Sequence, residues 1–282
     1  MLALIAFNTK IHVVNLTQLP VVELLNSQLA NPLQDLAKGI RDREGVVADE
    51  LLGLLRKIAA RGPVLAELAA DTAVGRTLET LLGIPINSSR QPDYKGIELK
   101  AFRQSKGNRK NLFAQVADWD RSKFKSSAEI LEAFGYQRGE DLKLYCTVST
   151  LAPNSQGLSL KVNSDERLLL EISKEASIGG FATWTLSKLH ERLLEKHNET
   201  FWIAAESIRE DGNEYLHYTK VQHTRKPIVS QFDLLVEQGI ITMDHLIKRT
   251  LTGKTVEKGP LFKIKPNSVG LLFPPSRTHS LL

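Results

Sequence analysis

The nine residues PDYKGIELK, from Pro92 to Lys100, constrain this chain more than any other stretch. In GIELK, the two-residue period of a strand puts Glu98 and Lys100 on one face and sends Ile97 and Leu99 into a core. A carboxylate and an ammonium then stand side by side. Asp93 follows Pro92 and precedes the turn-prone pair Lys95-Gly96, so a bend there carries its carboxylate back towards Glu98. Two such carboxylates make a hard oxygen site suited to Mg²⁺, completed by backbone carbonyls such as that of Leu99, by waters and by a phosphate oxygen. A metal held this way lowers the pKa of a bound water and neutralises phosphate charge, and Lys100 is placed to orient or activate the nucleophile.

Taken alone, the D-x4-E-x-K spacing also fits an edge strand whose Glu98 and Lys100 are simply solvated. The flanking sequence argues against that. Upstream, TLETLLG reads as a helix with Leu78, Leu81 and Leu82 on its apolar face, capped by Asp71 or Thr72 and stopped by Gly83 and Pro85. Glu79 on this helix is either an ordinary exposed carboxylate or a third acid near the metal.

The pattern is the one written PD-(D/E)xK in nucleases. The run from Glu79 through NSSRQPDYKGIELK resembles the MutH-like nucleases, most closely the MvaI/BcnI type II restriction endonucleases. LFAQVADWD, GGFATW, TFWIAAES, HTRKP, DHLIKR and EKGPLFKIKP carry the same resemblance, which spans about Val74 to Pro274. It implies a restriction-endonuclease-like fold with a MutH-like core, and a monomeric, Mg²⁺-dependent enzyme. Such an enzyme cuts double-stranded DNA at a short site of CC-N-GG type with a restricted central base. With one active site, a monomer nicks the strands in turn. A cognate DNA methyltransferase is then required as a functional companion, though not as a bound partner. Catalysis falls on Glu79, Asp93, Glu98 and Lys100, with Asp93, Glu98 and the Leu99 carbonyl on the metal.

The chain has 282 residues, 42% of them hydrophobic, enough to bury a sizeable core. Lys and Arg number 37 against 32 Asp and Glu, a net charge of +5. That excess is compatible with nucleic acid, and its placement says more. Between Lys100 and Lys125 eight basic residues face only Asp118 and Asp120. A basic run behind a metal-site strand is where phosphates must lie, and Arg103, Lys106, Arg109 and Lys110 are the candidates. Cys146, the single cysteine, falls in the apolar run LYCTV and reads as a buried small hydrophobe, not a nucleophile. MLALIAF is too short for a signal-peptide core, and no membrane span is evident, so a cytoplasmic protein is expected.

In chain order, Met1 to Val14 reads as a short strand or strand pair. Leu19 to Ala70 is helical in pattern, broken at Asn31-Pro32 and Gly62-Pro63, with LQDLAKGI and VVADELLGLLRKIA as separate runs. SSAEILEAFGY is a helix capped at Ser126 or Ser127 and ended by Gly135. KLYCTVST alternates as a strand, SLKVNSD and RLLLEIS form a hairpin, and TWTLSKLHERLLEKH is an amphipathic helix followed by the strand TFWIAAESI. His190 and His197 on that helix read as surface polar positions. Trp184 and Trp202 sit in periodic segments and read as core. The whole predicts an α/β or α+β mixed sheet flanked by helices, with an N-terminal helical region. Three parts are expected: 1–70, mostly helical; 71–210, the catalytic core; and 211–282, a DNA-recognition part packed on it.

HYTKVQHTRKP gathers donors for phosphates or guanine edges around a turn before Pro227. Charge alone leaves it a basic surface loop, but the family resemblance falls on these residues. His223, Arg225 and Lys258 are therefore the candidates for base reading. SQFDLLVEQG and TMDHLIKRTLTG read as two helices separated by Gly239, with Thr242 capping the second. VGLLFPP reads as an apolar tail and SRTHSLL as frayed. The helix pair admits a rival of another class, a non-catalytic sequence-specific DNA-binding regulator. A MutH-type strand-nicking repair endonuclease is the other enzymatic alternative, since it shares the catalytic pattern.

Overall fold

The computed structural model describes residues 1–85, 91–105, 107–257 and 259–282, except the side chains of residues 41, 43 and 44. It divides into two compact units, Met1–Lys57 and Ile58–Leu282.

The first unit opens with an antiparallel hairpin of β1 (Leu2–Phe7) and β2 (Lys10–Asn15). Asn8 and Thr9 turn it with φ of 49° and 61°, the backbone that matches strand twist in a two-residue loop. After α1 (Val21–Asn26), the Asn31 side chain accepts from the Gln34 amide at 3.1 Å where α2 (Pro32–Ala59) starts. The two expected helical runs are thus one helix. Gly39 and Gly45 lower helix propensity without breaking a continuous 28-residue element.

In the second unit, β3 (Val64–Leu65) and α3 (Ala73–Leu81) lead to β4 (Glu98–Arg103) and β5 (Lys110–Ala114). Then come α4 (Ser127–Phe134), β6 (Tyr136–Arg138), β7 (Asp141–Val148), β8 (Leu158–Asn163), β9 (Leu168–Ser173), β10 (Gly180–Thr185) and α5 (Leu186–His197). The chain closes with β11 (Glu199–Glu210), β12 (Asn213–Arg225), α6 (Val229–Glu237), β13 (Ile241–Arg249), β14 (Thr255–Glu257), β15 (Leu261–Ile264), α7 (Val269–Leu272) and β16 (Arg277–Ser280). One sheet runs β16-β12-β11-β4, with β3 against β12, and it is mixed because β4 lies parallel to β11. A second runs β5-β15-β13-β7-β6, with β14 against β13, and a third is β10-β9-β8. Mixed strands flanked by helices are the expected class.

The sequence dictates these placements locally. Phe201 to Ala205 form a continuous apolar run, buried on both faces, as a central strand requires. Leu186, Leu189, Leu193 and His197 fall on one face of α5 and are all buried. Ser126 caps α4 by accepting from the Glu129 amide, and Gly135 ends it. One contiguous core takes in Phe113, Trp184, Trp202, Phe232, Met243 and Phe262.

Three expectations are corrected. DHLIKR is a strand, not a helix: Ile241, Met243, His245 and Ile247 alternate into the core while β7 and β15 pair with β13 on either side. Thr242 is therefore no helix cap, and the helix pair behind the regulator reading does not exist. SRTHSLL is not frayed, because β16 extends the sheet beside β12 and Leu281 is buried. VGLLFPP, read as an apolar tail, forms α7 instead, and its Val269 and Leu272 join the core. No helix among the described residues is long and apolar enough to cross a membrane.

Candidate active site

The site begins with a turn. Lys95 and Gly96 have φ of 44° and 94°, and Tyr94 and Ile97 exchange both backbone hydrogen bonds across them, at 2.9 and 2.8 Å. The bend predicted at Lys95-Gly96 is thus a tight two-residue turn that folds Asp93 back along β4. There its Oδ2 accepts from the Leu99 amide at 2.9 Å. Ile97 and Leu99 are buried, as alternation requires, but Glu98 is buried too, at 1% exposure.

Glu98 tolerates burial because two ammonium groups hold it. Lys100 donates to Oε1, and Lys196, in the last turn of α5, donates to Oε2 at 3.0 Å and to the Gln91 carbonyl at 3.2 Å. Burial alone would push the Glu98 carboxyl up, yet Lys100 and Lys196 outweigh it and keep the group below the ordinary carboxylate range. Asp93 has no comparable support: burial, then the Glu98 charge, pushes it up. Glu79, half-buried on α3, is pushed up by burial and then by Asp93. It thus responds to the charges of Asp93 and Glu98. Thr72 precedes α3 as expected but makes no side-chain cap bond.

Asp93 and Glu98 therefore repel each other, a charge pattern that a divalent cation relieves. Among the described residues no three His, Cys, Asp or Glu side chains form a ready cage, so the shell needs oxygens from backbone, water and substrate.

Behind the site, His197 and not a surface polar residue anchors α5. Fully buried, it stacks on Trp202 at 5.4 Å between ring centroids, with Nε2 at 2.8 Å from the Leu112 carbonyl and Nδ1 at 2.9 Å from the Thr200 hydroxyl. Burial lowers its pKa to about 4, so it is neutral, donating from Nε2 and accepting at Nδ1. His190, also expected at the surface, pairs with Asp233 at 2.7 Å. Cys146 is partly buried and its thiol is pushed up to about 12 by burial, which leaves it no nucleophile.

The basic candidates divide. Arg103 is buried: it grips Glu214 through Nε and Nη2, the latter at 2.7 Å, and donates to the Ala70 and Asp71 carbonyls at 3.1 and 3.2 Å. It ties β4 to β12 and to the approach of α3, and the expectation that it binds a phosphate is corrected. Arg109 forks onto Asp244 at 2.8 and 3.1 Å and stays partly exposed. Lys110 lies over the Phe102 ring at 4.1 Å and the Trp202 ring at 5.3 Å. Lys106 and Lys258 lie outside the described residues. His223 and Arg225, on β12, both bind Glu199, at 2.7 Å from His223 Nε2 and 2.9 Å from Arg225 Nε. Lys196, Glu199 and Asp244 are the residues the sequence reading missed.

Comparison with known proteins gives these features a setting. A model of the MvaI/BcnI restriction endonuclease family matches residues 52–273. The structure is similar to restriction endonuclease MvaI in its complex with cognate DNA substrate, at TM-score 0.71 and 19% identity, covering 83% of this chain and 98% of that one. Against MvaI in the absence of DNA the TM-score is 0.48 at 18% identity, over 84% and 98% of the two chains. No curated protein matches by sequence.

Proposed function

Because the chain belongs to the MvaI/BcnI restriction endonuclease family, we propose that it is a Mg²⁺-dependent type II restriction endonuclease hydrolysing phosphodiester bonds of double-stranded DNA. The observation that carries this reading is the junction of Asp93, Glu98, Lys100 and Lys196 at the head of β4.

Asp93, Glu98 and the Leu99 carbonyl are the groups that would hold Mg²⁺, and their mutual repulsion is what such an ion relieves. When bound, the ion supplies charge neutralisation at the phosphate and a lowered pKa for its water. Lys100 positions the attacking water, Lys196 keeps Glu98 ionised and oriented, and Glu79 is an auxiliary carboxylate. Phosphate contact belongs to Lys106, Arg109 and Lys110, and base reading to His223, Arg225 and Lys258. Catalysis is assigned to residues 71–210 and recognition to 211–282, with 1–70 as a mostly helical N-terminal region. The site is of CC-N-GG type with a restricted central base. A monomer cuts the strands successively, in the cytoplasm, beside a methyltransferase that protects host DNA.

The test is incubation of purified protein with unmethylated plasmid and Mg²⁺, beside an Asp93→Ala control, with the product ends sequenced. Discrete fragments from wild type only, preceded by nicked circles, are expected. Equal cutting by Asp93→Ala would overturn the catalytic assignment. Linear product with no nicked species at any time would overturn successive cutting, and nicking that depends on an added activator would favour the repair nickase.

A further inference from the structure

Next to Lys100, the second unit holds a cavity of about 210 Å³. Its wall includes Lys100, Phe102, Arg109, Lys110, Asn111 and Trp202. Two of these side chains are left unsatisfied. The Lys110 amine rests on two aromatic faces and has no carboxylate or hydrogen-bond acceptor among the described residues. The Asn111 Oδ1 is buried and also lacks a partner among them. A cation held only by ring faces is under-compensated, because such contacts do not replace an ammonium's hydration.

What fits is an anion with several acceptor oxygens. The volume equals about seven waters' share of liquid, room for a phosphodiester group and its hydration. A phosphate oxygen meets the Lys110 ammonium directly, in place of the ring faces alone. Arg109 is paired with Asp244 and Lys100 with Glu98, so the cation in this wall without a carboxylate partner among the described residues is Lys110.

We propose that this cavity is a dedicated seat for a DNA backbone phosphate beside the scissile one, and that Lys110 is its principal ligand. This rests on the nuclease reading and adds a thermodynamic signature to it. In the free protein, burial lowers the Lys110 amine to about 8. The charged groups around it are Lys100 and Arg103 on β4, Arg109 beside it on β5's approach, and Asp71 before α3, with neutral His197 beyond Trp202. A phosphate against the amine raises its pKa, so the bound form keeps a proton that the free form loses as pH rises through about 8. Affinity for DNA then falls over that interval more than the titration of an ordinary lysine allows.

The experiment is calorimetric binding of a short duplex containing a CC-N-GG sequence to the full chain in EDTA, in buffers of different ionisation heat. Wild type should take up most of one proton at about pH 9 and almost none at about pH 6.5. Lys110→Met should abolish the uptake and lower the slope of log affinity against log salt by about one. Lys110→Arg, charged throughout, should bind without uptake and with a flat pH profile. Uptake that persists in Lys110→Met or Lys110→Arg, or an unchanged salt slope in Lys110→Met, overturns the seat. Wild-type plasmid cleavage in the same preparations keeps the two readings separate. Cleavage without Lys110-dependent uptake removes only the seat, whereas absence of both DNA binding and cleavage removes the seat and the nuclease reading together.

Discussion

Lys196 carries a load that no local pattern announces, since it grips a carboxylate 98 residues earlier in the chain. Glu98 at 1% exposure depends on both ammonium groups, because removing one partner of a buried ion pair leaves charge without compensation. Lys196→Met is expected to slow single-turnover cleavage by about 10–100-fold, the usual cost of losing a group that orients a metal-ligating carboxylate. Duplex binding in EDTA should be little changed, and Lys196→Arg should restore part of the rate. A wild-type rate in Lys196→Met would remove it from the site. Asp93, Glu98 and Lys100 were legible because they lie within one turn and one strand, where periodicity alone fixes direction. Lys196 was not, since its position depends on where α5 ends against β11. Arg103 had a readable signal that charge counting overrode: strand parity puts it on the face of Leu99, opposite Glu98 and Lys100.

At the scale of elements, the Lys95-Gly96 turn decides whether Asp93 reaches β4 at all. A Cβ on Gly96 would meet nothing within 4 Å, so the cost of a substitution there is conformational. With φ at 94°, Gly96→Ala should destabilise the fold by about 1–2 kcal/mol and reduce cleavage beyond what that loss explains, because the turn and Asp93 move together. Denaturant melts and single-turnover rates on one preparation separate the two effects, and an unaltered rate would show that the turn does not set the carboxylate. Gly239 is the contrasting case: φ is 61° and a Cβ would stand 2.6 Å from Cγ of the exposed Leu151, which must shift, so Gly239→Ala should cost stability and spare the site. That glycine ends α6 and lets the chain enter β13. Helical spacing could be read into DHLIKR, but Ile241, Thr242 and Ile247 are β-branched and the strand has a partner on each side. Pairing with β7, about a hundred residues upstream, is a tertiary fact that a window of local sequence does not contain. Helices with one apolar stripe, such as α4 and α5, and hairpins closed by short loops, such as β8–β9, were legible for the opposite reason.

At the scale of the whole molecule, the second unit has a charged pair between two of its sheets. His245 on β13 and Glu171 on β9 are both fully buried, with Nε2 at 2.9 and 3.0 Å from the two carboxylate oxygens. Burial alone would push the imidazole down, but the Glu171 charge and hydrogen bond outweigh it, and the folded pKa stands above the ordinary histidine value. The folded state therefore binds this proton more tightly than the unfolded chain. The pair's contribution is fully present below the unfolded histidine value of about 6.5, and it is lost as pH rises through the elevated folded value. Stability measured by denaturant should decline on the alkaline side in wild type, and that decline should shrink in a variant without the pair. His245→Leu alone leaves Glu171 buried and uncompensated, and should cost about 3–5 kcal/mol. Replacing both, His245→Leu with Glu171→Leu, removes two desolvated charges and should recover most of that loss, because a packed apolar pair is often as stable as the ion pair it replaces. If the double variant were as unstable as the single one, the pair would be holding the sheets in register through its hydrogen bonds, and its charge would not be the term that matters.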